Sequence, residues 1–125
     1  MTSECDRVLV VDDAVSLREL LTLLLEVEDD FEVVGTAGDG EQAIAAADRL
    51  EPDVVLLDLL MPVMDGLAAL PALRQRLPEA RIVVFSGFGR PTAATDALEH
   101  GADAYLEKGE SVNSLVDRLR ELRAR

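Results

Sequence analysis

Pro52-Asp53-Val54-Val55-Leu56-Leu57-Asp58-Leu59-Leu60-Met61-Pro62 is the stretch on which the reading of this chain turns. Pro52-Asp53 makes a turn. Four consecutive apolar residues, Val54 to Leu57, then read as a strand, and a lone carboxylate, Asp58, stands where the strand stops. A strand that alternated apolar and polar residues would leave one face to water. An unbroken apolar run is instead covered on both faces, as in a parallel sheet sandwiched between helices. The same form recurs on either side. Val8-Leu9-Val10-Val11 ends at Asp12-Asp13, Ile82-Val83-Val84-Phe85 ends at Ser86, and Ala104-Tyr105-Leu106 ends just before Lys108. Phe31 to Gly35 supplies one more strand.

Helical stretches lie between these runs. The first carries Leu17, Leu20, Leu21 and Leu24 on one face, with Leu23, Leu25 and Val27 widening the stripe, and Ser16 with Glu19 has capping-box spacing near its start. Asp39 and Gln42 offer a cap for a second helix through Ile44, Ala47 and Leu50. Leu67, Leu70 and Leu73 mark a third, in which Pro71 sits early or bends the axis. A short alanine-rich helix runs from about Pro91 to His100 and stops at Gly101, with His100 as a helix-end cap. The last helix carries Val112, Leu115, Leu119 and Leu122, and its final turns hold Arg118, Arg120, Arg123 and Arg125, placed to suit the helix dipole. Strand and helix alternate five times, which predicts an α/β fold and a single domain over 1–125.

Composition narrows the function. With 125 residues and a net charge of −13 from 25 acidic and 12 basic side chains, the domain repels phosphate backbones, so direct nucleic-acid binding is not expected of it. No apolar run approaches the roughly 20 residues that cross a bilayer, and the N-terminus has no secretory pattern. Cys5 is the only cysteine, which excludes an internal disulfide and suits a reducing, cytoplasmic setting. Eleven of the twelve cations are arginine; the exception is Lys108, three residues after the only tyrosine, Tyr105. A compact ammonium and a planar guanidinium are not equivalent where a point charge must enter a tight site.

The strand-terminal residues carry the chemistry. In an open α/β sheet, ligands bind beyond the carboxyl ends of the strands at the topological switch point. Asp12, Asp13, Asp58, Ser86 and Lys108 therefore converge although nearly the whole chain separates them. Taken singly each has a blander reading: an aspartate at a strand–helix junction caps the helix, a serine is a loop hydroxyl, a lysine is a solvated charge. Together, three carboxylates need a cation, since like charges raise one another's pKa. A hard ion such as Mg²⁺, which takes few carboxylates and keeps waters, leaves room for a phosphoryl oxygen. An aspartate can then act as nucleophile toward phosphorus, with a metal and a lysine offsetting the charge on the transferred group.

The motifs Val10-Val11-Asp12-Asp13, Pro52 to Asp58 with Met61-Pro62 and Asp65-Gly66, Phe85-Ser86-Gly87, and Gly101-Ala102-Asp103-Ala104-Tyr105-Leu106-Glu107-Lys108 resemble the receiver domains of bacterial two-component response regulators over essentially the whole chain. The resemblance implies a flavodoxin-like (βα)5 sandwich with a five-stranded parallel sheet ordered 2-1-3-4-5. It implies Asp58 as phosphoacceptor and Asp13 as direct Mg²⁺ ligand, with Asp12 assisting. It also implies the Leu60 carbonyl as a further ligand, Ser86 as switch hydroxyl, Tyr105 as switch aromatic, and Lys108 as the partner of a phosphoryl oxygen. The implied partners are a sensor histidine kinase or a histidine phosphotransfer protein, docking on the exposed edge of the first helix, and a second copy in a homodimer through helix 4, strand 5 and helix 5. Such a protein is a signalling phosphoacceptor, not an enzyme in the turnover sense. The variety of receiver resembled often precedes a helix-turn-helix domain, so the chain is expected to be either a stand-alone receiver or the receiver of a longer regulator. Gly109 stands where many receivers have proline, Gly87 where alanine is common, and Leu60 and Phe88 flank the site with apolar side chains. An aspartate-nucleophile phosphatase, the rival from enzyme chemistry, needs a second aspartate where Leu60 stands. A binding module with a dead site, the other rival, does not need the Asp13, Asp58 and Lys108 set.

Overall fold

A computed structural model describes residues 5–87, 92–108 and 112–123. The expectations for Phe88, Gly109, Pro91 and Arg125 lie outside the described residues. Ten elements follow one another: β1 (Asp6–Val11), α1 (Val15–Glu26), β2 (Phe31–Ala37), α2 (Gly40–Leu50), β3 (Val54–Leu57), α3 (Gly66–Arg76), β4 (Arg81–Ser86), α4 (Ala93–Glu99), β5 (Ala104–Glu107) and α5 (Val112–Arg123). All five strands are parallel, in one sheet ordered β2-β1-β3-β4-β5. This is the flavodoxin-like architecture expected from the sequence. Between β1 and β3 the chain order reverses, which makes that boundary the switch point.

The continuous apolar runs sort by period two once folded. Leu9, Val11, Val55, Leu57, Ile82 and Val84 face α2, α3 and α4, where Ala43, Ala46, Ala47, Leu70, Leu73 and Ala97 cover them. Val8, Val10, Val54, Leu56, Val83 and Phe85 face α1 and α5, packing on Leu21, Leu25, Leu115, Leu119 and Leu122. Small alanines on α2 let that helix lie close to the sheet. No helix among the described residues is long and apolar enough to cross a membrane.

Two local expectations need correction. Ser16 does not cap α1: the helix begins at Val15 behind Ala14, with no side-chain cap. The Ala14 N–H instead donates to the Asp12 carboxylate at 2.9 Å, and the first helical bond runs from Arg18 N–H to Ala14 O. The aspartate turn takes up the first donor, so Ser16 is left inside the first turn. The core face of α1 is also narrower than the sequence suggests. Leu21 and Leu25 are buried, but Leu20, Leu23 and Val27 are exposed, because burial on one sheet follows a single four-residue spacing and not the whole apolar arc. The Asp39 cap holds: Asp39 accepts from Gln42 N–H at 2.9 Å while the Gln42 side chain accepts from Gly38 N–H at 2.8 Å. Pro71 lies within α3, not at its start. His100 is the C-cap of α4, with its Nδ1 2.6 Å from Asp96 O.

The arginines of α5 exceed the dipole role expected of them. Arg120 pairs with Asp30 and Glu28, and Arg123 with Asp6 and Asp30. Both guanidiniums also stand over the Phe31 ring, at 5.7 and 5.1 Å from its centroid. These contacts fasten the end of α5 to the starts of β1 and β2, at the edge of the sheet away from the strand-terminal carboxylates. Arg120 first, and Arg123 with it, hold Asp30 well below the usual carboxylate range against the opposing effect of burial. A depressed carboxylate contributes stability above its unfolded pKa of about 3.9 and loses it as pH falls from there toward the folded value. Asp30→Asn should therefore cost about 0.5–1 kcal/mol near neutral pH, the range for partly exposed pairs. The gap between wild type and variant in urea unfolding should shrink steadily below about pH 4.

Candidate active site at the carboxyl ends of β1 and β3

Register puts the carboxylates side by side. Val11 of β1 pairs with Leu57 of β3, so Asp12 and Asp58 are the next residues out on adjacent strands, about one strand spacing apart. Backbone bonds carry the alignment past the strand ends: Asp58 N–H donates to Val11 O at 2.9 Å, and Asp12 N–H to Ala37 O at 3.0 Å. Asp12 and Asp58 are buried, at 2% and 5% exposure, whereas Asp13 is open to solvent. One carboxylate oxygen from each of the three can be chosen so that all lie within 4.8 Å of one another.

Lys108 completes the cluster from β5. Its ammonium is 2.6 Å from Asp12 Oδ2 and 3.4 Å from Asp58 Oδ2. The other oxygens also have partners: Asp12 Oδ1 accepts from Ala14 N–H at 2.9 Å, and Asp58 Oδ1 accepts weakly from Leu60 N–H at 3.4 Å. No described residue donates to the Asp13 carboxylate. Burial, and then the negative charge of Asp12, push the Asp58 carboxyl up, with Lys108 pulling the other way. Lys108 thus works against both the burial of Asp58 and the charge of Asp12. A divalent cation with oxygen ligands suits this donor set, since it would relieve the repulsion and find Asp13 free to bind.

Ser86 and Tyr105 lie on the β4–β5 side. Ser86 is fully buried at the end of β4, and its carbonyl accepts from Lys108 N–H at 2.9 Å, which ties the hydroxyl-bearing residue to the lysine. Gly87 leaves space beside the lysine stem, where a Cβ would rest in ordinary contact, 3.6 Å from Lys108 Cδ. Tyr105 is half-buried; its hydroxyl is buried with no hydrogen-bond partner among the described residues. Burial, then Glu107, raise its pKa. The ring borders a cavity of about 590 Å³ lined by Ala94, Leu98 and Arg118 among others, between α4 and α5. Leu60 is 65% exposed at the rim.

The loop from β3 to α3 is pinned around Asp58. Gly66 N–H donates to Leu59 O at 2.9 Å and Gly40 N–H to Met64 O at 2.7 Å, so the loop is anchored to itself and to the start of α2. A Cβ on Gly66 would fall on the carbonyl oxygen of Asp58, so only glycine allows α3 to start this close to the phosphoacceptor candidate. Between these anchors Val63 takes φ +65° inside a tight turn closed by Met64 N–H to Pro62 O at 2.7 Å, a strained conformation for a β-branched residue. Sequence reading found the acids, the serine and the lysine from their positions at strand ends. It missed Gly66 as a packing requirement, although Asp65-Gly66 is a visible turn signal, and it missed Arg18, whose Nη1 donates to the Asp12 carbonyl at 2.6 Å; helical periodicity gives no hint of that contact.

A doubly wound sheet with three carboxylates and one lysine at its switch point defines a phosphoryl-accepting switch domain of the kind built around an aspartate. Residues 8–120 match the model of the response regulator receiver domain, and the chain belongs to that family, the phosphoacceptors of two-component systems. It is 41% identical over 117 residues to the nitrate/nitrite response regulator protein NarL of Escherichia coli, covering 94% of this chain and 54% of that protein. It is 36% identical over 115 residues to the response regulator protein VraR of Staphylococcus epidermidis, covering 92% and 55%. The chain thus spans about half the length of these curated relatives. Among solved structures, the receiver domain of the putative NarL regulator of Mycobacterium tuberculosis superposes with a TM-score of 0.88 at 34% identity, over 96% of this chain and 97% of that one. A LuxR-family response regulator from Aurantimonas gives 0.90 at 31% identity, over 96% and 86%.

Two outcomes follow from this geometry. Gly66→Ala should lower unfolding stability by about 2–3 kcal/mol, because backbone must shift to admit the methyl group. Asp58→Asn should raise the melting temperature of the metal-free protein at neutral pH: an acid whose pKa is raised on folding destabilises the folded state once it is ionised, and the amide has no charge to bury. The gain should fade as pH falls and Asp58 takes up its proton.

Proposed function

We propose that this domain is a Mg²⁺-dependent phosphoacceptor switch in which Asp58 takes a phosphoryl group from a phosphohistidine on a sensor histidine kinase or a histidine phosphotransfer protein. The observation that carries the reading is the acid–ammonium cluster: three carboxylates within 4.8 Å of one another, two of them buried, with the chain's only lysine between those two.

Asp13 and Asp58, with Asp12 and the Leu60 carbonyl, would hold the ion. Bound Mg²⁺ supplies charge neutralisation for the phosphoryl oxygens. The chain's own groups do the rest. An Asp58 oxygen attacks phosphorus; the new P–O bond forms as the P–N bond of the donor breaks, and the bonding pair leaves with the imidazole nitrogen. Lys108 gives up Asp12 and moves its ammonium onto a phosphoryl oxygen. Ser86 offers its hydroxyl to another. Tyr105, whose hydroxyl has no partner among the described residues, turns inward behind Ser86, and the α4–β5–α5 surface changes shape. That surface is where a homodimer would form. The domain catalyses only its own phosphorylation and dephosphorylation, works in the cytoplasm as one unit over 1–125, and leaves any contact with nucleic acid to other parts of a regulator. The exposed edge of α1, with Leu20, Leu23 and Val27 in solvent, suits docking of a helical donor.

Intact-mass measurement after incubation with Mg²⁺ and acetyl phosphate tests the reading. One phosphoryl adduct is expected on the wild type, dependent on Mg²⁺ and absent from Asp58→Ala. An adduct that survives in Asp58→Ala would move the acceptor elsewhere. None on a folded wild type, with acetyl phosphate or a phosphohistidine donor, would leave a binding module.

A further inference from the structure

Arg18 takes no part in the chemistry above, yet it is bonded to the backbone of the site. We propose that Arg18 is a positioning residue for the metal-binding carboxylates: its guanidinium braces the β1–α1 turn that carries Asp12 and Asp13. The inference rests on the reading of Asp12, Asp13 and Asp58 as a cation site.

Asp12 is held at every polar atom. Its N–H donates to Ala37 O at 3.0 Å, its Oδ1 accepts from Ala14 N–H at 2.9 Å, and its Oδ2 accepts from Lys108 at 2.6 Å. Its carbonyl accepts from Arg18 Nη1 at 2.6 Å. Asp13 has no such support. It is exposed and no described residue donates to its carboxylate, so its direction depends on the backbone on either side. Arg18 secures that backbone twice, with its own N–H on Ala14 O at 3.0 Å and with its side chain on Asp12 O. The second bond is charge-assisted, stronger than a neutral one. The neighbouring turn leaves room for it: a Cβ on Gly38 would stand 3.2 Å from Arg18 Nη1 and 3.5 Å from Gln42 Oε1. A side chain at position 38 would make the guanidinium give by a few tenths of an ångström.

The alternative is that Arg18 acts only as a nearby positive charge. The two roles have opposite signs. Removing a cation beside an acidic cluster strengthens binding of another cation, whereas removing a brace from the ligand-bearing turn weakens it. Supports of this kind, one shell behind a metal ligand, are typically worth about tenfold or more in affinity.

The test compares wild type, Arg18→Ala and Arg18→Lys by calorimetric Mg²⁺ titration, and by amide hydrogen exchange at Ala14 in metal-free protein. Arg18→Ala is expected to bind Mg²⁺ about tenfold more weakly and to exchange faster at Ala14, whose N–H is bonded to Asp12 Oδ1, with exchange in the core strands unchanged. Arg18→Lys, which keeps the charge and part of the reach, is expected to fall between. Equal or tighter Mg²⁺ binding by Arg18→Ala would overturn the proposal, and so would weaker binding with unchanged exchange at Ala14. Should Arg18→Ala fail to fold, Arg18→Lys decides in the same way: weaker binding with faster local exchange supports the brace, and wild-type values overturn it. If the wild type itself does not bind Mg²⁺, the cation-site reading fails, and exchange at Ala14 still settles whether Arg18 holds the turn.

Discussion

Everything at the working end of this domain depends on one electrostatic constraint: Asp12 and Asp58 are buried on adjacent strands with their charges facing one another. Parallel pairing leaves no freedom in the matter. Once Val11 is opposite Leu57, the two acids must be neighbours. Two carboxylates kept from water at that spacing are tolerable only if one takes up a proton or a cation lies beside them. Lys108 is that cation in the structure, reached across the sheet from β5. Burial, and then the charge of Asp12, still raise the Asp58 pKa against the pull of Lys108. The site is therefore poised to accept more positive charge, or to place its lysine on a new anion.

A poised site needs rigid surroundings, because ligands that drift lose their mutual geometry. The surrounding loops are fastened by hydrogen bonds to their backbone. The β3–α3 loop is closed by Gly66 on Leu59 and by Gly40 on Met64. The β1–α1 turn is closed by Ala14 on the Asp12 carboxylate and by Arg18 on the Asp12 carbonyl. Part of the cost shows at Val63, held at positive φ between these anchors, a conformation that persists only because the loop is over-determined. On the β4–β5 side, Tyr105 keeps a hydroxyl with no hydrogen-bond partner among the described residues, beside a cavity. The two sides of the site thus differ in how completely their polar groups are satisfied among the described residues.

The opposite edge of the sheet has a different task. Arg120 and Arg123 gather Glu28, Asp30 and Asp6 around Phe31, tying the last helix to the first two strands. In a chain with net charge −13, clustering acids around arginines also relieves self-repulsion. The two charge clusters lie at opposite ends of the strands, so the one that secures α5 and the candidate site are separated by the core.

Much of this was legible in the sequence, for a physical reason. Apolar runs such as Val54 to Leu57 are local patterns, and burial on both faces follows from them directly; with it come the parallel sheet and the rule that ligands gather at strand ends. Asp12, Asp13, Asp58, Ser86 and Lys108 could be picked out because each stands one or two residues beyond such a run. What lay outside local pattern was decided by tertiary structure. Ser16 has the spacing of a cap, but the Asp12 carboxylate reached the Ala14 amide first. Leu20 belongs to an apolar arc, but the sheet has room for only one face of the helix. That Lys108 sits closer to Asp12 than to Asp58, that Gly66 must lack a side chain, that Arg18 closes on a carbonyl six residues back and that Arg120 clasps Asp30 are facts of reach and register. Such contacts depend on where separate segments arrive once the whole sheet is assembled, and no window of sequence contains that information.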